Sequence, residues 1–122
     1  MEEKVKTNVE VMEEVKELKR LIDYQDKAVV SKMLLNRRSG NITLFAFDEN
    51  EGLSEHTSPY DALVYCVEGK CEINIGGKLH VLSEGELIIM PANKPHSVKA
   101  LSKFKMLLIM IKESSQIVAS YH

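Results

Sequence analysis

Residues 85–100, "GELIIMPANKPHSVKA", decide the fold. The run 86–90 is mostly apolar and favours a strand, which Pro91 ends because proline cannot donate to a β-ladder. The segment 91–95 then turns the chain between two prolines, so that His96 begins a new strand. Two short strands separated by a proline-bounded turn predict β-structure in this part of the chain.

Short strand-like runs and turns alternate in the same way from Val29 to the end of the last apolar run at Ile111. Turn signals stand at Glu68-Gly69, Gly76-Gly77 and Glu84-Gly85, and no helical pattern intervenes. This regularity predicts an all-β antiparallel sandwich or barrel. The predicted strands are 28–36, 42–48, 62–67, 71–75, 79–82, 86–90, 96–100 and 104–111.

Two turns allow register to be predicted. If Gly76-Gly77 is a two-residue hairpin turn, Ile73 pairs with His80, and His80 shares the inward face with its apolar neighbours. A turn at Glu68-Gly69 would place Cys66 opposite Cys71. We interpret these cysteines as two packed, reduced thiols, with a redox pair as the less favoured alternative.

The first segment differs in its period. In residues 7–24, "TNVEVMEEVKELKRLIDY", Thr7 and Glu10 match a capping box and apolar residues recur at helical spacing, as at Val15 and Ile22. The pattern predicts one α-helix. We therefore divide the chain into an N-terminal helical extension, residues 1–28, and a barrel domain, residues 29–122.

Composition excludes several classes of function. The 122 residues suit one domain, and the net charge of -2 and the absence of tryptophan disfavour nucleic-acid binding. The apolar run 106–111 is too short to cross a membrane, and the acidic N-terminus is unlike a secretory signal. We expect a cytoplasmic protein with no nucleic-acid or membrane partner.

Two motifs carry a family resemblance. Gly52–Gly69 resembles the first cupin motif, G-x5-H-x-H-x3,4-E-x6-G, and Gly85–Ala100 resembles the second, G-x5-P-x-G-x2-H-x3-N. Asn93 and Ala100 replace the second glycine and the final asparagine of that second motif. Over residues 29–112 the chain is similar to small single-domain cupins. The resemblance implies an RmlC-like jelly-roll barrel, a double-stranded β-helix with a metal or ligand site at its mouth, and frequent homodimers.

The resemblance also implies a reduced set of metal ligands. Counted back from Gly69, the family's first histidine falls on His56, its second on Ser58 and its glutamate on Ala62, while His96 holds the fourth ligand position. Two histidines without a carboxylate would bind a divalent transition metal such as Zn, Fe, Mn or Ni weakly.

Two further residues are candidate metal ligands. Asp61 adjoins the lost glutamate position, but strand alternation points it away from the face of Ala62. His80 faces inward and is either a third nitrogen ligand or a core histidine, of which the core role is favoured.

The predicted site is a pocket at one end of the barrel. His56, Ser58, Tyr60 and His96 converge there, and a few polar groups in an apolar cavity are typical of a ligand site. The expected apolar lining residues are Val64, Cys66, Ile89, Val98, Met106 and Leu108.

The sequence therefore supports several hypotheses. The first is a cupin that binds a small molecule. The second is a metal-dependent dioxygenase or isomerase that uses His56 and His96 as ligands, and the others are a metal-free enzyme with a histidine as general base and a non-catalytic module.

The sequence also indicates an interface, because the run 104–111 is apolar on both faces. Its outward residues Leu107, Ile109 and Ile111 need cover, which predicts a homodimer with a contribution from the N-terminal helix.

Overall fold

The computed structural model describes residues 12–112 and folds them into two β-sheets. Within this range no helix is long and apolar enough to cross a membrane. The strands are β1 (Val29–Arg37), β2 (Gly40–Phe47), β3 (Gly52–His56), β4 (Asp61–Glu68), β5 (Lys70–Ile75), β6 (Lys78–Ser83), β7 (Leu87–Met90), β8 (His96–Ala100) and β9 (Phe104–Ile111).

The two sheets are antiparallel and enclose one core. Five strands form one sheet in the order β1-β2-β9-β4-β7, and four form the other in the order β3-β8-β5-β6. Side chains from both sheets meet in the core, where the rings of Phe47 and Phe104 lie 5.3 Å apart. This is the all-β jelly-roll architecture that the sequence predicts.

Residues 85–100 form the two predicted strands and the turn between them. It supplies β7 to one sheet and β8 to the other, so the loop Pro91–Pro95 carries the chain between the sheets. Asn93 adopts a φ of 69°, a conformation that asparagine tolerates better than most residues other than glycine. Its backbone N–H donates to the carbonyl oxygen of Ser58 at 2.7 Å, which fastens the loop to the segment that follows β3.

The Gly76-Gly77 hairpin is confirmed in register. Ile75 pairs with Lys78 and Ile73 with His80, and both glycines have positive φ angles, 58° and 90°. The predicted pairing of Cys66 with Cys71 is wrong, because β4 and β5 belong to different sheets. Both thiols are free and buried in the shared core.

The strand β3 was not predicted from the sequence. β3 is short and mostly exposed, and it pairs with β8. Its sequence, "GLSEH", offers little apolar alternation, so hydrophobic pattern alone does not reveal it.

The predicted N-terminal helix is absent from the described part of the chain, and its residues 7–11 lie outside that part. Residues 12–28, here called the N-terminal strap, contain a 3-10 turn at Leu18–Arg20. Val15 is 101% exposed, so no apolar helical stripe forms. The Lys105 ammonium donates to the carbonyl oxygen of Lys19 at 2.6 Å, a contact that a backbone already paired within an α-helix would not favour.

Side-chain contacts dock the strap on the outer face of the five-stranded sheet. Ile22 packs there against Leu44 and Ala46. The Tyr24 hydroxyl donates to Oε2 of Glu68 at 2.7 Å.

Candidate functional site

A cavity of about 50 Å³ lies between the two sheets, with room for a few water molecules. Strands β3, β4, β7, β8 and β9 contribute its walls, which are almost wholly apolar. The lining residues are Leu53, His56, Ser58, Ala62, Met90, His96, Val98, Met106, Leu108 and Met110.

Two histidines form the polar end of this cavity. His56 is the last residue of β3 and His96 is the first of β8, and the two are register partners. Their Nε2 atoms lie 3.1 Å apart, and the rings meet edge to face at 71°. His96 is 5% exposed, whereas His56 is exposed at the rim. The pair thus reaches from solvent into the cavity.

Backbone carbonyl groups fix the orientation of both rings. Nδ1 of His56 lies 2.8 Å from the carbonyl oxygen of Ser54, and Nδ1 of His96 lies 3.0 Å from that of Lys94. A carbonyl oxygen only accepts hydrogen bonds, so each Nδ1 carries the hydrogen. Nε2 of one ring meets Nε2 of the other edge to face, at a hydrogen-bonding distance.

Two methionines flank the position where the cupin resemblance implies a glutamate. Ala62 on β4 pairs with Met90 on β7 and with Met110 on β9. Directly opposed residues on neighbouring antiparallel strands share one face of the sheet. Both thioethers consequently line the cavity beside Ala62, where the small side chain leaves space.

The cavity brings together His56, Ser58, His96 and Met106 from the predicted pocket. Val98 and Leu108, expected among its apolar lining residues, are there too.

Four other predicted pocket residues lie elsewhere. Val64 and Cys66 face inward but are packed in the core without lining the cavity. Ile89 is 56% exposed on the outer face, because alternation along β7 turns its neighbours Ile88 and Met90 inward. Tyr60 does not line the cavity, and the ammonium of Lys112 lies 5.7 Å from the centre of its ring.

The two additional metal-ligand candidates do not join the site either. Asp61 accepts a hydrogen bond from the backbone N–H of Ala92 at 2.8 Å, which fixes the loop after β7. His80 is half-buried on β6 and does not line the cavity. Among residues 12–112, no group of three or more His, Cys, Asp or Glu is arranged to hold a metal ion. The four-ligand cage of the cupin motifs therefore does not fit this chain.

The buried thiols are poor candidates for ligands or nucleophiles. Burial raises the pKa of Cys66 to about 11 and that of Cys71 to about 12. Both are therefore protonated near neutral pH, whereas the thiolate is the reactive and metal-binding form.

Sequence reasoning missed Leu53, Met90 and Met110 as lining residues. Leu53 lies in the strand that was not predicted. Met110 follows Met106 and Leu108 in the alternation along β9, so extending that pattern by one step would have found it. Met90 gives no such signal, because β7 is apolar throughout and alternation does not indicate which of its faces is inward.

Comparison with known proteins identifies the family to which this fold belongs. A family model, the cupin domain, matches residues 43–112. The structure of a conserved protein of unknown function from Streptococcus pyogenes is 31% identical, with a TM-score of 0.83 over 89% of this chain and 96% of that one. A cupin superfamily protein from Desulfitobacterium hafniense is 28% identical, with a TM-score of 0.79 over 83% of this chain and 93% of that one.

A cupin 2 conserved barrel domain protein from Leptotrichia buccalis is 38% identical, with a TM-score of 0.75. The alignment covers 78% of this chain but 46% of that one. No curated protein matches the chain.

Proposed function

The chain belongs to the cupin family, and we propose that it binds a small, largely apolar molecule at the mouth of its barrel. One observation carries the proposal: the His56–His96 pair forms the polar end of an otherwise apolar cavity. A few placed polar groups fix the orientation of a ligand, while apolar walls supply most of its binding free energy.

The size of the cavity limits the ligand. A volume of about 50 Å³ accepts only a few non-hydrogen atoms, so the buried part of the ligand is small. Because His56 is exposed at the rim, a larger molecule would leave its remainder in solvent. The expected ligand has a short apolar group that enters among the methionines and a polar group that meets the histidines.

Ligand-observed NMR with a library of small metabolites, on metal-free protein, tests this proposal. His96→Ala should abolish binding, whereas His80→Ala should retain it, since His80 is a half-buried histidine that does not line the cavity. Binding that survives His96→Ala, or a library without any binder, would contradict the proposal.

A second candidate function is a metal-dependent enzyme of the dioxygenase or isomerase type. The convergence of two Nε2 atoms whose rings are held through Nδ1 favours it, because metal-binding histidines commonly use the other nitrogen in this way. Metal analysis of protein purified without chelators, beside His56→Ala and His96→Ala, tests it for Zn, Fe, Mn and Ni. Less than about a tenth of an equivalent, unchanged by either substitution, would contradict it.

We also propose that the protein is a homodimer that pairs through the outer face of the five-stranded sheet. Leu87 and Ile89 are 55% and 56% exposed on β7. Ile89 pairs with Leu63, which pairs in turn with Ile109, so the apolar surface continues across three strands. A continuous surface of this kind is typical of an interface. The N-terminal strap covers the part of this face around Leu44, Ala46 and Leu107.

Light scattering in solution tests the dimer. Leu87→Glu/Ile89→Glu should yield a monomer, because two carboxylates would be buried without partners. The matched control is Leu79→Glu/Val81→Glu on β6, a pair that is 59% and 57% exposed on the other sheet. A monomeric wild type, or dissociation by the control pair instead, would refute this interface. The cytoplasmic location remains a prediction.

A further inference from the structure

One wall of the cavity is apolar at the position where the cupin resemblance implies a carboxylate. Ala62 stands there on β4, and its register partners are Met90 on β7 and Met110 on β9. Directly opposed residues on antiparallel strands share one face of a sheet, so these three side chains form one row, here called the methionine row. All three line the cavity. Because the methyl group of Ala62 lies between two long side chains, the row is recessed at its centre.

The rest of the cavity is apolar except at the histidines. Leu53 and Val98 line it from the four-stranded sheet, and Met106, which is 1% exposed, is its most deeply buried lining residue. The polar lining side chains are the two histidines and Ser58. Since His56 is exposed at the rim, a ligand that enters beside it keeps its polar end there and places its apolar end among the methionines.

The size of the cavity excludes rings. An apolar cavity of about 150 Å³ accepts benzene, whereas this one has a volume of about 50 Å³. A ring or a branched chain would have to displace a wall of the close-packed barrel, which is costly. An unbranched chain of a few carbons needs the least width. Size and polarity therefore favour the same kind of ligand, a short straight chain with one polar end.

We propose that the methionine row determines the specificity of the cavity and selects a ligand with a short, unbranched aliphatic chain and a single polar end. The chain lies over the methyl group of Ala62, and Met90 and Met110 limit its length. Methionine side chains are unbranched and flexible, so this limit is graded. The inference rests on the proposed binding of a small molecule, to which it adds the class of ligand and the residues that select it.

Titration of the metal-free full chain with primary alcohols from ethanol to octanol, followed by ligand-observed NMR, tests the inference. In the wild type the affinity should rise about fourfold per methylene group, the contribution of burying one such group, up to a limiting chain length. Ala62→Leu fills the recess and should shorten the limiting length. Met110→Ala removes the thioether arm beside it and should lengthen it.

The matched control is Met33→Ala on β1, which removes the same arm from a half-buried methionine that does not line the cavity. The limiting length should not change in this variant. A branched isomer, tert-butanol, should bind the wild type more weakly than butanol does. If Met110→Ala does not fold, Met90→Ala makes the same comparison from the other side of Ala62.

The outcomes separate this inference from the proposed function. The same limiting length in the wild type, Ala62→Leu and Met110→Ala, or equal binding of butanol and tert-butanol, would overturn the inference and leave the binding of a small molecule standing. Failure of every alcohol to bind the wild type and the variants would overturn both.

Discussion

Both faces of the five-stranded sheet carry apolar side chains, but the polar groups beside them differ in kind. Inside, Ala62, Met90 and Met110 line a cavity that ends in two histidines. Outside, Leu87 and Ile89 are exposed to solvent, and polar contacts on that face, such as the one from Tyr24 to Glu68, attach the N-terminal strap. The comparison teaches that apolar area alone does not mark a functional site. A converging polar pair makes one face a candidate site, whereas continuity across strands makes the other a candidate interface.

The largest expected difference between the faces is in stability. Phe104→Ala removes a phenyl ring from the core, where the side chain is 0% exposed, and should lower the free energy of unfolding by about 3–5 kcal/mol. Ile89→Ala should lower the free energy of unfolding only slightly in dilute solution. Its effect should grow with protein concentration, because in the proposed dimer the second subunit buries this side chain. Urea unfolding at several protein concentrations measures both. A loss for Ile89→Ala as large as that for Phe104→Ala in dilute solution would contradict the comparison.

Restoring a carboxylate on the inner face should change the metal preference. Ala62→Glu places a negative charge between Met90 and Met110 and should raise the affinity for Zn(II) or Mn(II) by about tenfold or more. Ala62→Gln, of equal size and no charge, is the control. The metal-free Ala62→Glu protein should also melt at a lower temperature, since a buried charge is uncompensated. Equal divalent-ion affinity in the two variants would show that the missing carboxylate does not limit binding.

The buried thiols predict a dependence of stability on pH. In the folded chain the pKa of Cys66 is about 11 and that of Cys71 about 12, against an ordinary value of 9.0. Below pH 9 both states keep their thiols protonated and the stabilisation is complete. As pH rises from 9 towards 11 and 12, only the unfolded chain ionises freely, so stability falls.

Urea midpoints at pH 8, 9 and 10 measure this fall. The double variant Cys66→Ala/Cys71→Ala retains every other titrating group and should lose stability less steeply. Identical slopes for the wild type and the variant would show that the thiols do not contribute.

A smaller effect is expected where the N-terminal strap covers the outer face. Tyr24→Phe removes the hydrogen bond to Oε2 of Glu68 and should cost about 1 kcal/mol of unfolding free energy. Glu68→Gln retains an acceptor oxygen and should cost less. Thermal unfolding compares the two, and a larger loss for Glu68→Gln would contradict the role given to this bond.

Much of the fold follows from the sequence because its signals are local. Pro91 and the glycines Gly76 and Gly77 fix turns by their own backbone preferences, and the strands around them follow. β3 has no such signal, because it is a polar edge strand that is held in place by pairing with β8. The α-helix predicted from residues 7–24 does not form in the described part of the chain. There the strap packs against the sheet, and the Lys105 ammonium binds the carbonyl oxygen of Lys19.

The site was predictable only in part for a similar reason. The resemblance to the cupin motifs indicates His56 and His96, and the structure brings their Nε2 atoms together. Ile89 was misplaced because "LIIM" is apolar throughout, so periodicity does not say which residues face inward. The contacts between the two Nδ1 atoms and backbone carbonyl oxygens depend on tertiary geometry, so no sequence pattern predicts them.

A high-resolution crystallographic map of the cavity, with anomalous data at first-row metal edges, tests the central claim most directly. We expect non-protein density in contact with Nε2 of both His56 and His96, either organic or metallic. A cavity with nothing bound beside the two histidines, in protein supplied with candidate ligands and first-row metal ions, would contradict it.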